Sequence, residues 1–355
     1  MNLTENVNKC IDRGDVVGLV TLDLEKAFDM INHEILLSKL KCYGFDDDCL
    51  NWVRDYFRLR TQITVINGNE SCESVVHYGI AQGSILGPLL FILYMNDLSK
   101  VVKNCKVSLY ADDTCLYVSS KDPVQMQTMI NEDLASIQNW LSHNELLLNV
   151  KKCKLIIIGT KHKTKSFNNV KVRIDDYVLD TVDKCNYLGV ILDKEFSWKA
   201  HIDSLRSKIL RNLFMLRRLR PYIDVGTATL LYHTMIHPHF DYCNTIWMKL
   251  DSTPMKRLQI LQNRALRIVL QVDCRFNRLA LYTQLSIDCL NVKVKKDFVI
   301  LVFKLLNNLL PNVLCSKLVV KQQNYSLRNI EQIILLPKPH TNPIQIYRIY
   351  QKYCK

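Results

Sequence analysis

The chain has 355 residues, of which 48% are hydrophobic and 23% charged, with a formal net charge of +13. That is ordinary for a globular protein and enough for one large or two medium domains with real cores. No apolar run is long enough to cross a bilayer, and the polar start from Met1 to Asp15 does not read as a signal peptide, so a soluble, intracellular protein is expected.

In chain order, the β-branched run Val16 to Leu24 predicts a buried strand, and Lys26 to Tyr43 turns to helical spacing with Gly44 as its C-cap. Asp46 to Arg60 reads as a second amphipathic helix. Thr61 to Ile66 and Ser74 to Tyr78 read as strands joined by the turn Asn67-Gly68-Asn69. Leu86 to Lys100 is helical, with Pro88 in its first turn. Lys106 to Tyr110 and Thr114 to Ser119 are short strands flanking Asp112-Asp113, a hairpin with two carboxylates at its tip. A long helix over Asp122 to Asn144 is followed by strands at Leu155 to Ile158, Val172 to Leu179 and Tyr187 to Leu192. From Lys199 the periodicity is mostly helical, clearest over 201–220, 226–236, 253–270 and 290–308, and the stretch after Pro311 reads as irregular. A mixed α/β half therefore precedes a helical half, with the boundary near 195–200.

Charge divides at the same place. Residues 201–355 carry 24 Lys and Arg against 8 Asp and Glu, whereas residues 1–200 carry 23 against 26. A basic half suggests a polyanionic partner, nucleic acid first. The 13 cysteines are scattered without a CxxC pair, so reduced, largely buried thiols are expected rather than a secreted disulfide framework. His233, His237, His239 and Cys243 come nearest to zinc-ligand spacing, but Pro238 interrupts any common helical face.

An Asp-Asp pair alone most often marks a turn. Here it stands at a hairpin tip, and Asp23 ends the first strand. In a βαββ arrangement that strand lies beside the hairpin, so three carboxylates can meet. Hard divalent cations such as Mg²⁺ require such oxygen ligands, and two-metal nucleotidyl transfer requires carboxylates brought to one point from different strands.

Five segments, in order, carry a resemblance: Asp23-Leu-Glu-Lys-Ala-Phe28-Asp29; Gly79-Ile-Ala-Gln82-Gly83-Ser84-Ile-Leu-Gly87-Pro88-Leu89-Leu90-Phe91; Tyr110-Ala111-Asp112-Asp113; Leu148-Asn149-Val-Lys-Lys152; and Asn186-Tyr187-Leu188-Gly189-Val190. Each is weak to moderate alone, and the ordered set is specific. Together they resemble the palm motifs of reverse transcriptases. Leu192 to His201 and Leu261-Gln262-Asn263-Arg264-Ala265 resemble the non-LTR, LINE-like (jockey/CR1-type) retrotransposon branch, which disfavours a cellular maturase or telomere-type polymerase. The resemblance spans roughly residues 15–275 and implies an α+β fold. That fold is a polymerase palm over 1–197, an RRM/ferredoxin-like antiparallel sheet with helices on one face, then a basic helical thumb over 198–310 and a tail over 311–355.

The resemblance also implies roles. Asp23, Asp112 and Asp113 would be catalytic and would hold two Mg²⁺ (Mn²⁺ being possible), with the Leu24 carbonyl as a further ligand. Lys26 and Ala27 amides, Phe28, Gln82, Gly83 and Lys152 would serve the dNTP: Phe28 by excluding a 2′-hydroxyl, Lys152 by protonating pyrophosphate. Tyr187, Leu188 and Gly189 would form the primer grip. Arg211, Arg217, Arg218, Arg220, Arg264 and Arg267 would hold the nucleic-acid backbone. The implied partners are an RNA template, a DNA primer and dNTPs, with no membrane and no stable protein partner, in nucleus and/or cytoplasm. The family carries a fingers subdomain before the first motif, and here Asp23 is preceded by only 22 residues. An N-terminally truncated chain with fingers largely missing is therefore expected. The alternative is an inactive relic that binds nucleic acid without polymerising.

Overall fold

β1 (Val16–Leu22) forms where branched side chains favour a pleated, packed surface, and it becomes an inner strand of a five-stranded sheet. In a computed structural model that describes residues 2–248, 252–316, 319–327 and 330–335, the chain divides into two compact units. One is residues 14–188; the other combines residues 1–13 with 189–355. The first unit holds the sheet, with β2 (Lys106–Tyr110), β3 (Asp113–Ser120), β4 (Lys154–Ile158) and β5 (Asp180–Thr181) in the order β5-β4-β1-β3-β2. The 4-1-3-2 order of its first four strands is the ferredoxin-like arrangement, all antiparallel. β5 departs from the expectation of a wholly antiparallel sheet, since its two residues run parallel to β4.

Four helices form a layer with this sheet: α1 (His33–Cys42), α2 (Asp47–Phe57), α3 (Gly87–Met95) and α4 (Pro123–His143). α1 starts seven residues later than the spacing from Lys26 predicts. Lys26 has φ +42°, residues 25–30 are turns, and the Asn32 side chain accepts from the N–H groups of Glu34 and Ile35, fixing the N-terminus there. Val16, Val20, Leu22, Leu116, Val118, Leu155 and Ile157 share one face of the sheet and pack with Leu36, Leu40, Phe91, Ile130, Leu134 and Ile137 from the helices. Each such buried side chain contributes about 1.5–3 kcal/mol. Gly18 lets α4 close on this face, because a Cβ there would stand 2.7 Å from Met126 Sδ. Leu19, Cys115, Tyr117, Ile156 and Ile158 alternate onto the opposite face and are buried too.

Between α2 and α3 the expected pair of longer strands is broken into four two-residue strands. Thr61–Gln62 pairs with Ser74–Val75, and Val65–Ile66 with Asn69–Glu70 around the Asn67-Gly68 turn, where both residues have positive φ. The expected strand over Val172 to Leu179 is likewise a tight pair, Arg173–Ile174 with Tyr177–Val178.

The second unit is largely helical. Val190–Asp193 is a strand packed on α5 (Lys199–Leu219), so the division falls at Leu188/Gly189 rather than near 195–200. α6 (Thr253–Leu270) has the bounds its periodicity predicts, and α7 is Leu290–Leu306. The helix expected over 226–236 is α-helical only to Leu231 and then widens into a π-helical turn, Tyr232–Ile236. The stretch after Pro311, expected to be irregular, contains a short helix (Asn312–Cys315) and an antiparallel strand pair, Val319–Leu327 with Ile330–Leu335. Its prolines beyond 336 lie outside the described residues. Of the twelve described cysteines only Cys115 and Cys153 are buried, fewer than expected, and all twelve are free thiols. No helix among the described residues is long and apolar enough to cross a membrane.

Candidate active site

The β1–β3 ladder decides where the acidic residues fall. Leu22 pairs with Thr114, and carrying that register one residue further sets Asp23 opposite Asp113. Tyr110 pairs with Asp113 and closes the hairpin over Ala111-Asp112, with Ala111 at φ +51°. Side-chain alternation aims Asp23 and Asp113 to the face opposite the helix layer. Their proximity is felt electrostatically: burial first, then the carboxylates of Asp112 and Asp23, raise the Asp113 carboxyl above its usual range.

Asp23 is held from behind. Its carbonyl accepts from Asn149 N–H and Glu25 N–H donates to the Leu147 carbonyl, both at 2.8 Å, across the bridge between Leu24 and Leu148. The Leu24 carbonyl stands outside those two bonds. Lys152 comes from the same crossing segment, its Nζ 3.3 Å from Asp23 Oδ2. Asp23 Oδ2 is itself buried and has no hydrogen-bond partner, so the ammonium attracts it without aligned bonding. A buried carboxylate oxygen without a donor, beside a carboxyl that resists ionising, suits a hard cation. Among the described residues no three His, Cys, Asp or Glu side chains close into a metal cage.

The first two motifs are laced together. Gly79 N–H donates to Ile31 O and Ile80 N–H to Phe28 O, both at 2.8 Å, while Gly79 O lies 2.8 Å from His33 Nε2. Gly79 sits at φ +90°, and a Cβ there would come within 2.8 Å of the Asp29 backbone, so this approach requires glycine. Gln82 Nε2 donates to Asp29 Oδ1 at 3.2 Å. Phe28 stacks on buried Phe91 with centroids 4.5 Å apart, which fixes its ring. Gly83, at φ +84°, faces open space. Lys26, Asp29, Gln82, Arg60 and His77 line one cleft of about 960 Å³. Arg60 and His77 were not foreseen. Their signal was their position flanking the Thr61–Gln62 and Ser74–Val75 strand pair, and Arg60 lies 4.5 Å over the Tyr56 ring.

Tyr187 reaches the carboxylate face. Its hydroxyl is 2.9 Å from Ser108 Oγ, and burial, with smaller contributions from Cys115 and Asp113, pushes the phenol up to about 12. Leu188 and Gly189 form the turn that follows, with φ of +48° and +73°.

Comparison with known proteins matches residues 2–192 to the family described as reverse transcriptase (RNA-dependent DNA polymerase). The chain belongs to the reverse transcriptase family. Its relatives include non-LTR retrotransposon polymerases of Drosophila melanogaster. It is 26% identical to the probable RNA-directed DNA polymerase from transposon BS over 77% of this chain and 31% of that protein. It is 24% identical to the RNA-directed DNA polymerase from mobile element jockey over 69% and 27%. The chain thus spans about a third of the length of these relatives. Among solved structures, apo telomerase from Candida tropicalis aligns over 85% of this chain and 55% of that chain, with 14% identity and a TM-score of 0.40, too distant to carry an argument.

The arginines expected to hold a nucleic-acid backbone fall into two kinds. Arg211, Arg217, Arg218 and Arg264 are exposed and Arg267 is half-buried. Arg220 is buried, its Nε and Nη1 donating at 2.7 Å to the carbonyls of Val269 and Ile223, so part of its guanidinium is spent on the fold. The segment Gln262-Asn263 is buried as well. Gln259 Nε2 donates to Gln262 Oε1, Asn263 Oδ1 and Tyr282 Oη, and Gln262 Nε2 donates to Asp288 O and Tyr232 Oη, a polar network inside the helical unit. The histidines at zinc-like spacing have separate partners: His237 Nδ1 lies 2.8 Å from Asp241, and His239 Nε2 faces Asn212.

Proposed function

We propose that this chain is an RNA-directed DNA polymerase domain of a non-LTR retrotransposon, extending a primer 3′-hydroxyl on an RNA template with dNTPs. The observation that carries the reading is the strand register that sets Asp23 opposite Asp113 at the end of a hairpin bearing Asp112. Two Mg²⁺ ions, or Mn²⁺, held by Asp23, Asp112, Asp113 and the Leu24 carbonyl, would supply activation of the 3′-hydroxyl and neutralisation of the triphosphate. Amides of Lys26 and Ala27 turn toward the triphosphate, and Lys26 and Arg60 place cations in the adjoining cleft. Phe28, braced by Phe91, underlies the sugar and rejects a 2′-hydroxyl, and Gln82 and Gly83 border the nucleotide. Lys152 gives a proton from Nζ to the departing pyrophosphate. Tyr187, Leu188 and Gly189 position the primer end, and Arg211, Arg217, Arg218, Arg264 and Arg267 bind backbone phosphates. The site of action is a compartment with nucleic acid, nucleus and/or cytoplasm.

Primer extension on poly(rA)/oligo(dT) tests the reading. The chain should extend the primer in Mg²⁺, and Asp112→Asn should abolish extension while leaving template binding nearly intact. Binding without extension by the unaltered chain would instead support the relic reading.

A further inference from the structure

The planar peptide between Gly79 and Ile80 is pinned at both of its polar ends. Its N–H donates to Phe28 O, and its carbonyl accepts from His33 Nε2, each at 2.8 Å. A carbonyl only accepts, so Nε2 carries the ring hydrogen. Gly79 itself has φ +90° and, lacking a Cβ, a backbone free to take other values, so the tilt of this peptide has to be held from outside. His33 is the first residue of α1, directly after the Asn32 cap, and Asn32 bridges to Tyr78, so the donor comes from a fixed point. The half-buried His33 ring lies nearly flat on buried Phe57, with 4.0 Å between centroids and 15° between planes. Phe57 meets Tyr56 edge-on at 5.1 Å, and Arg60 lies over the Tyr56 ring. The hydrogen bond thus leads to one part of the cleft lining, Gly79 to Gln82, and the row of rings leads to another, Arg60.

We propose that His33 is a positioning residue for the incoming nucleotide. It locks the 79–80 peptide, so that Gln82 meets Asp29 and Phe28 keeps its place, and through Phe57 and Tyr56 it steadies Arg60. This role rests on the polymerase reading, whose nucleotide cleft it serves. His33 stands behind the cleft lining and acts through these neighbours. A histidine that served only the stability of α1 would, when replaced, lower the folded fraction and with it kcat, at unchanged KM. A positioning residue moves KM for the nucleotide.

Single-nucleotide extension by the full chain, on an RNA template with a DNA primer in Mg²⁺, gives KM for dNTP and kcat. His33→Phe keeps the ring stack and loses the donor, and His33→Gln keeps a donor at about the reach of Nε2. His33→Phe should raise KM for dNTP about tenfold, the effect of one lost hydrogen bond with its carbonyl left unmet, while kcat changes less than about threefold. His33→Gln should bring KM back to within about threefold of the unaltered chain. Val53→Ala truncates a buried side chain of α2 outside the cleft lining and is the stability control. It should lower the thermal midpoint and leave KM unmoved. Should His33→Phe fail to fold, His33→Asn, polar but too short to reach the carbonyl, carries the test. An unchanged KM in the variant that lacks the donor, an equal rise in Val53→Ala, or no recovery in His33→Gln would overturn the proposal while sparing the polymerase reading. No extension by the unaltered chain would remove both.

Discussion

The two units carry their candidate functional groups by different physical means. In the unit of residues 14–188 the proposed chemistry rests on a few atoms fixed by strand register, and a one-residue slip of β1 against β3 would turn Asp23 away from Asp113. In the helical unit the candidate contacts are spread over exposed arginines on packed helices, and its buried polar network serves the fold. A register-built site should fail abruptly to single changes, and a charge-built one gradually.

The sharpest break belongs to the sheet. Asp112→Asn should lower primer extension by about 1000-fold or more, a loss on the scale of removing a central electrostatic group from an active site, with hybrid affinity within about threefold of the unaltered chain. Single-nucleotide kinetics and anisotropy together check this, and equal losses in both would erase the distinction between the units.

Next comes a stability effect confined to the helical unit. His201 is 3% exposed, its Nδ1 accepts from Ile191 N–H, and burial pulls its pKa from 6.5 down to about 4. The unfolded chain therefore takes up a proton that the folded one refuses. Stability is complete above pH 6.5 and declines as pH falls towards 4, by about 3 kcal/mol. Hydrogen exchange of α5 amides across that range measures it, and His201→Gln should flatten the dependence.

Gly79→Ala should cost about 1–3 kcal/mol, because φ +90° and the Asp29 backbone both oppose a Cβ. It should also weaken dNTP binding, since Asp29 and Phe28 would shift together. Phe28→Ala should reduce discrimination against ribonucleotides by about 10- to 200-fold with little change in dNTP use, as expected for one steric contact. The smallest effect is Tyr187→Phe, which removes the bond to Ser108 for about 0.5–1.5 kcal/mol. Urea unfolding followed by a probe in the sheet unit resolves it.

Much of the sheet unit was legible beforehand. The hairpin that carries Asp112 and Asp113 is a short-range feature of the sequence, whereas Asp23 could be set beside it only by assuming a βαββ arrangement. α6 has the bounds its regular apolar period predicts, and the structure adds the cap, the Ser252 side chain accepting from Met255 N–H. What stayed hidden depends on long-range partners. Asp133 looks like a solvent residue of α4, yet it is buried and accepts from the N–H groups of Lys103, Asn104 and Cys105, anchoring the entry to β2. Arg220 looks like one more surface cation, and only the tertiary fold commits it to two carbonyls. Lys26 sat inside a helical period that its left-handed backbone interrupts.

The central claim is that carboxylates from the end of β1 and the β2–β3 hairpin hold the same metal ions. Fe²⁺ substituted for Mg²⁺, with ascorbate and peroxide, cuts the backbone next to the bound ion. The account predicts cleavage at two places, around Asp23 and around Asp112-Asp113, both competed by Mg²⁺ and both lost in Asp23→Asn. Cleavage at only one of the two segments, or cleavage that survives Asp23→Asn, would contradict it.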